Sequence, residues 1–329
     1  MSGGWLRQGI RRVFPAEAPV PAHLRTRFRS LSGEAQSRLD AALDAHRGAD
    51  APPGPDATRE RRRDREDHRF RRLELDRRRV VPWLDAARPL HSARVLEVGC
   101  GTGSSTVALA EQGAQVTAID LDASAVRVAR ERCSLYGLDA VEFAVGNATE
   151  VLEKLRGERF DFVIFFAALE HMTHDERLRA MRSGWELLAT GDLWCVVETP
   201  NRLWPFDAHT ALLHFFHWLP DRLAFEYSRH SPRPGFGDRY REPSPDAELE
   251  FLRRGRGVSF HEFDLCLGPA ARLDVVSSAN GFRASRLWLR RWRRARSFEG
   301  RWAAQLAGLR PDLHPGFFER DLDLVIRKR

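Results

Sequence analysis

Lysine is nearly absent from this sequence of 329 residues: only Lys154 and Lys328 are lysine among 53 basic residues, and the rest are arginine. The skew runs through the whole chain. It reads as a compositional bias and not as a nucleic-acid-binding arm, so nucleic acid is not an expected partner. The formal charge of +7 is local, because residues 1–79 hold 19 basic and 12 acidic residues and the remainder is balanced. Cysteine is scarce: Cys100, Cys133, Cys195 and Cys266 form no CxxC and no Cys/His zinc spacing. That excludes a disulfide framework and fits reduced thiols in a cell. No apolar run approaches the length of a membrane span, and no signal-peptide core is evident, so the expectation is a soluble, cytoplasmic protein. A GxxxxGK[ST] phosphate loop is missing too.

The sequence divides by composition. Residues 1–58 are read as an N-terminal arm ending in the linker "ADAPPGPDAT", and residues 59–92 as a charged, solvated lead-in helix. From residue 93 to about 199 strand and helix patterns alternate. Strands are expected at "ARVLEVG", "AQVTAID", "AVEFAVG", "RFDFVIFFAAL" and "DLWCVVETP". The helix before the fifth strand is expected to start on a Thr173 or His174 cap and to run to Gly191. Such alternation implies an α/β fold with a doubly wound parallel sheet.

The turn after the first strand, "VLEVGCGTGSST" (95–106), carries the chemistry. A dinucleotide turn would be GxGxxG, but residue 104 is Ser and the third glycine is Gly103. The spacing is E-x-G-x-G-x-G, from Glu97 to Gly103. Glycines let the backbone approach a ligand, and an acid at the strand end suits an ammonium group better than a pyrophosphate. Asp120 ends the second strand, where a carboxylate can accept both hydroxyls of a ribose.

These blocks, with "VTAIDLD", "VGNATE", "FDFVIFFAALEHM" and "LLATGDLWCVVETPNRL", resemble the class I S-adenosylmethionine-dependent methyltransferases, in the type 11 and quinone O-methyltransferase-like group. The resemblance covers about residues 93–203. It implies a Rossmann-like seven-stranded sheet whose last strand, "RDLDLVIRKR", is antiparallel. It also implies S-adenosyl-L-methionine as cofactor. Glu97, Gly99, Gly101 and Gly103 would line its methionine end, and Asp120 would bind the ribose. Leu121 and Asp122 would sit beside the adenine, and the Asn147 carbonyl oxygen would accept its amino group. Asp122 can equally be a helix N-terminal acid.

The resemblance leaves the acceptor open. The "LEHM" loop looks like the quinone-type "EVLEH", where two carboxylates and a histidine can be associated with a divalent metal. The first of those carboxylates is Ala167 here, so no metal is expected. The candidates for a catalytic base are His171, His209 and His261, of which one or none serves. Residues 93–329 are read as one domain, with an insertion at 201–268 acting as a substrate cap. Its aromatic segment 204–218 would form pocket wall, and a helix starting after Ser259 would bring in His261. Asp207, His209, His214 and His217 lack a cysteine companion and are not assigned to zinc. Basic and aromatic stretches at 5–14 and 286–309 raise peripheral membrane contact. The expected activity is methyl transfer to a small or lipid-like acceptor, most simply to a hydroxyl. The absence of an N/D-P-P-Y block after the fourth strand argues against base N-methylation. Alternatives are an RNA or protein methyltransferase and a non-catalytic cofactor-binding module.

Overall fold

Strand assignments follow from where the apolar residues fall. The computed structural model describes residues 19–47, 67–286 and 288–329. The arm stretch 5–14 and the linker 49–58 lie outside the described residues. The strands are β1 (Arg94–Val98), β2 (Gln115–Asp120), β3 (Glu142–Val145), β4 (Phe160–Phe166), β5 (Leu188–Pro200), β6 (Asp274–Ser278) and β7 (Asp321–Arg327). They form one sheet in the order β3-β2-β1-β4-β5-β7-β6. β1 to β5 are parallel, and β7 runs antiparallel between β5 and β6. This is the seven-stranded Rossmann-like arrangement expected from the sequence.

Both faces of the sheet are covered, so the central strands carry apolar side chains on both. Leu96, Val98, Val163, Phe165, Trp194 and Val196 pack on one face. Their neighbours Val95, Phe162, Ile164, Leu193, Cys195 and Val197 pack on the other. The chain order reverses between β1 and β4, which opens a crevice at their carboxyl ends.

Two sequence readings need correction. The helix before β5 is His174–Glu186, capped reciprocally by Thr173 and Glu176, and it stops short of Gly191. Leu188 already pairs with Phe160, and the register slips before Leu193 pairs with Phe162. Gly191, at φ +95°, lies in that irregularity. The lead-in helix is not a solvated rod. The described part, residues 67–87, is helical with two π segments and packs on the domain. Leu73, Asp76, Arg77, Val80 and Leu84 form its buried stripe, at spacings that keep them on one helical face.

That stripe is tied down by charge. Arg77 donates to both carboxylate oxygens of Glu111, at 2.8 and 2.6 Å. It also donates to the Arg29 carbonyl at 2.7 Å, and the Arg29 amide returns to Glu111 at 3.1 Å. Farther along, the Gly33–Arg47 helix sets Leu39 and Leu43 against Val128. The segment 286–309 is divided as well. Trp302, Leu306 and Ala307 pack against the core around buried Ala303, while Trp292, Phe298 and Leu309 stay exposed.

Breaking a buried ion pair from one side leaves a charge without a partner, at a cost of several kcal/mol. We predict that Arg77→Ala lowers the unfolding free energy by about 3 kcal/mol in urea titration. A loss below about 1 kcal/mol would mean that the pair does not hold this helix in place.

Candidate active site

The crevice is a cavity of about 610 Å³. The turn after β1 forms its floor, the ends of β2 and β4 its sides, and the 67–76 helix one wall. Two glycines show why the turn needs its composition. A Cβ on Gly99 (φ +93°) would lie 2.5 Å from the Phe166 carbonyl oxygen, so β4 can approach only a glycine. Gly101 (φ +49°) would meet nothing within 4 Å, because it faces the open cavity.

The expected cofactor residues separate into two groups. Gly99, Gly101, Asp120, Leu121, Asp122 and Asn147 line the cavity. The Asp120 carboxylate accepts the amides of Gly101 (2.8 Å) and Asp122 (2.9 Å), which fixes its direction at the β2 edge. Asp122 also caps the Ala123–Leu135 helix by accepting the Ser124 and Ala125 amides, so its helix-cap role is real. Asn147 caps the Ala148–Lys154 helix, and its Oδ1 already accepts the Thr149 amide and hydroxyl. Both lone pairs of that oxygen are engaged by the helix cap in this arrangement. Its Nδ2 donates to Glu176, which also receives Arg253 from the insertion, both at 2.7 Å.

Glu97 and Gly103 are not cavity walls. Glu97 is fully buried beneath the turn, where the Ser105 and Thr106 hydroxyls donate to its two oxygens. Gly103 caps the Ser104–Ala110 helix and abuts Ala129. The acid of the E-x-G-x-G-x-G pattern thus braces the turn from behind.

The three histidines part company. His171 follows β4 and lines the cavity. His209 comes from the insertion and stacks beside it, with ring centroids 5.3 Å apart. Burial, and after it the charge of His171, push the His209 imidazole down to about 4. Between them lies Glu170, fully buried, whose carboxyl is raised by desolvation. His261 stands apart: its ring stacks on Phe260 and its Nδ1 meets Ser259 Oγ at 3.0 Å, outside the cavity. The Ser259 cap is as expected, but it turns His261 to solvent. Nor do the aromatics of 204–218 form cavity wall. Trp204 is core and donates to the Phe318 carbonyl, Phe216 sits in a separate core inside the insertion, and His217 is buried against Asp207.

Two acids missed by sequence reasoning do face the cavity. Asp76 comes from the 67–87 helix, and Glu198 from the end of β5. The register of β5 on β7 slips between Val196 and Thr199, and Glu198 sits in that bulge at φ +57°. Its amide donates to Asp323 Oδ1 at 2.7 Å, which holds the strained residue and turns its side chain inward. Burial raises both carboxyls, and for Asp76 the nearby charges of Glu198 and Glu97 add to the effect. The clue for Asp76 was its place in an apolar stripe; for Glu198 it was an acid at a strand's carboxyl end.

Residues 95–191 match the family model described as a methyltransferase domain. A ubiquinone biosynthesis O-methyltransferase of Xylella fastidiosa is 44% identical over 87 residues, 26% of this chain and 33% of that protein. The protein of that name in Pseudomonas aeruginosa is 36% identical over 92 residues, covering 28% and 39%. The chain thus spans about a third of the length of the curated relatives it matches. Among solved structures, magnesium protoporphyrin IX methyltransferase from Synechocystis is 22% identical with a TM-score of 0.36, over 51% of this chain and 70% of that one.

Burial lifts Glu97 to about 7 from 4.5, against the two hydroxyl hydrogen bonds. Below pH 4.5 the acid is protonated in folded and unfolded chains alike, and folding keeps its full stability. As pH rises through 7 the folded chain must ionise a buried group, and about 3 kcal/mol is lost. We predict that Glu97→Gln loses less stability than wild type between about pH 5 and about pH 8 in urea unfolding. Equal losses would remove Glu97 as the source.

Proposed function

We propose that this chain, through the methyltransferase domain at residues 95–191, transfers a methyl group from S-adenosyl-L-methionine to a hydroxyl of a small or lipid-like acceptor. The observation that carries the reading is convergence at the switch point of the sheet. The ends of β1, β2, β4 and β5 meet on one cavity whose floor is a glycine turn and whose edge carries Asp120. About 610 Å³ suits a small-molecule site.

The residues present fit the cofactor. Gly101 leaves room where a side chain would stand, and Asp120 offers its remaining lone pairs beside Leu121. When bound, the cofactor supplies a methyl carbon on a positively charged sulfur, so transfer forms an O–C bond, breaks an S–C bond and leaves S-adenosylhomocysteine. The work of the chain is to hold the acceptor in line and to take its proton. We assign proton acceptance to Glu198. It lines the cavity from a strained bulge, and its carboxyl is raised by burial. Asp76 shares that cavity, and the charge of Glu198 adds to the burial that raises its own carboxyl. His171 places an imidazole near the β4 end.

The insertion at 201–268 serves as the acceptor cap in this reading. Its Pro245–Arg253 helix supplies Arg253 to the cavity, and buried Arg177 ties the loop after β4 to it through the Leu169 and Arg256 carbonyls. A lipid-like acceptor would be met at a membrane surface through the exposed Trp292, Phe298 and Leu309. No helix among the described residues is long and apolar enough to cross a membrane.

Calorimetry tests the reading. S-adenosylmethionine and S-adenosylhomocysteine should both bind at micromolar levels, and Asp120→Ala should weaken both at least tenfold, about 1.4 kcal/mol. With methyl-labelled cofactor and a panel of phenols and lipids, Glu198→Gln should cut turnover more than tenfold while cofactor affinity stays unchanged. His261→Ala should match wild type. A well-folded protein that binds neither cofactor form would overturn the reading.

A further inference from the structure

The Glu170 side chain is fully buried, yet only one of its oxygens is satisfied. Oε2 accepts the Thr199 hydroxyl at 3.1 Å, and Oε1 has no hydrogen-bond partner. Two imidazole nitrogens face that oxygen: His171 Nε2 at 3.8 Å and His209 Nε2 at 3.9 Å.

The far side of each ring settles which nitrogen carries the proton. His171 Nδ1 lies 2.8 Å from the Arg253 carbonyl, which can only accept, so Nδ1 donates. His209 Nδ1 lies 3.2 Å from Thr210 Oγ1. That hydroxyl gives its own proton to the Gly255 carbonyl at 2.9 Å, so here too Nδ1 donates. In their neutral forms both rings therefore turn Nε2 lone pairs toward a carboxylate oxygen. With Glu170 ionised, three acceptors converge with no donor among them. Metal-binding histidines are commonly oriented in this way, by a backbone carbonyl or another oxygen on the far nitrogen.

We propose that Glu170, His171 and His209 form a binding site for a divalent transition-metal ion of the zinc class. The three ligand atoms all lie within 4.8 Å of one another. Metal–ligand bonds of about 2.1 Å require separations of roughly 3 to 3.5 Å, an inward movement within reach of small side-chain rotations. Two imidazoles with one carboxylate favour zinc, cobalt, nickel or iron over magnesium or calcium. Three protein ligands leave a coordination position open, and His171 borders the cavity, so an acceptor oxygen can enter there. The role in catalysis rests on the proposed methyltransferase reading; the metal site itself does not. His209 is the ligand supplied from outside the matched domain: it lies in the insertion, beyond residues 95–191.

The test uses the full chain, stripped with a chelator and titrated with zinc chloride by calorimetry. One zinc per chain at micromolar affinity or tighter is expected. His209→Ala should weaken binding at least 100-fold while leaving S-adenosylhomocysteine affinity intact. Glu170→Gln should do the same if it folds, and circular dichroism checks that; His209, being part-exposed, carries the test if it does not. Cobalt(II) should give a visible absorption band in wild type and lose it in His209→Ala. Absence of stoichiometric zinc binding, or binding that survives His209→Ala, overturns the site. Intact S-adenosylhomocysteine binding in that case leaves the methyltransferase reading standing, whereas loss of cofactor binding with zinc retained points the other way.

Discussion

The ion pair between Arg77 and Glu111 is the interaction on which the cavity depends. A seven-stranded sheet supplies a crevice at its switch point, but a crevice is open on one side. The 67–87 helix closes it with Asp76, Leu75 and Arg72. That helix buries Leu73, Val80, Val81, Trp83 and Leu84 against the core, with Asp76 and Arg77 buried in the same stretch. The buried Arg77–Glu111 contact, reinforced by the Arg29 backbone, adds a polar anchor to that apolar face. It fixes the N-terminal segment to the helix that follows the glycine turn. The wall of the site is thereby tied to its floor.

The carboxyl edge of the sheet gathers acids, and each is handled by a different device. Glu97 is braced by two hydroxyls, Asp120 by two amides, and Glu198 is left facing the cavity by a bulge. Glu170 is the exception, since one oxygen has only imidazole lone pairs before it. An isolated buried carboxylate is expensive, so groups of this kind persist where they do work. The order of satisfaction separates the supports of the site from its working groups. Glu97 and Asp120 set backbone geometry, while Glu170 keeps one oxygen without a hydrogen-bond partner.

The fold was legible because its signals are local. Alternating strand and helix patterns, the glycine turn and the acid closing β2 all lie within short windows, and the structure places them as read. Glu97 and Gly103 belong to that pattern too, yet they act behind the turn: a motif reports which residues a turn needs, not which side of it they face. The 67–87 helix was misjudged because its charged residues dominate the composition, while the stripe from Leu73 to Leu84 shows only at helical spacing. Glu198 was hidden by a bulge. Strict alternation along β5 would not have singled it out, and the register slip that turns it depends on Asp323, more than a hundred positions away.

His209 shows the larger limit and why the insertion matters. In sequence it sits among aromatics that looked like pocket wall, 39 positions from Glu170. Reading "LEHM" alone, the missing acid at Ala167 left the set of ligands incomplete. In space a residue from another segment takes up the third position. The placement is enforced at both ends: the Asp207 carboxylate accepts the amides of His209 and Thr210, and the Thr210 hydroxyl grips the Gly255 carbonyl. Buried Arg256, bonded to Asp221 and to the Phe216 carbonyl, then locks the insertion's own core to the loop that carries Glu170, whose carbonyl accepts the Arg256 amide. A surface decoration would not need so many buried polar ties. The insertion is tied to the domain by buried polar contacts, and the turn that delivers His209 is one of the places they meet.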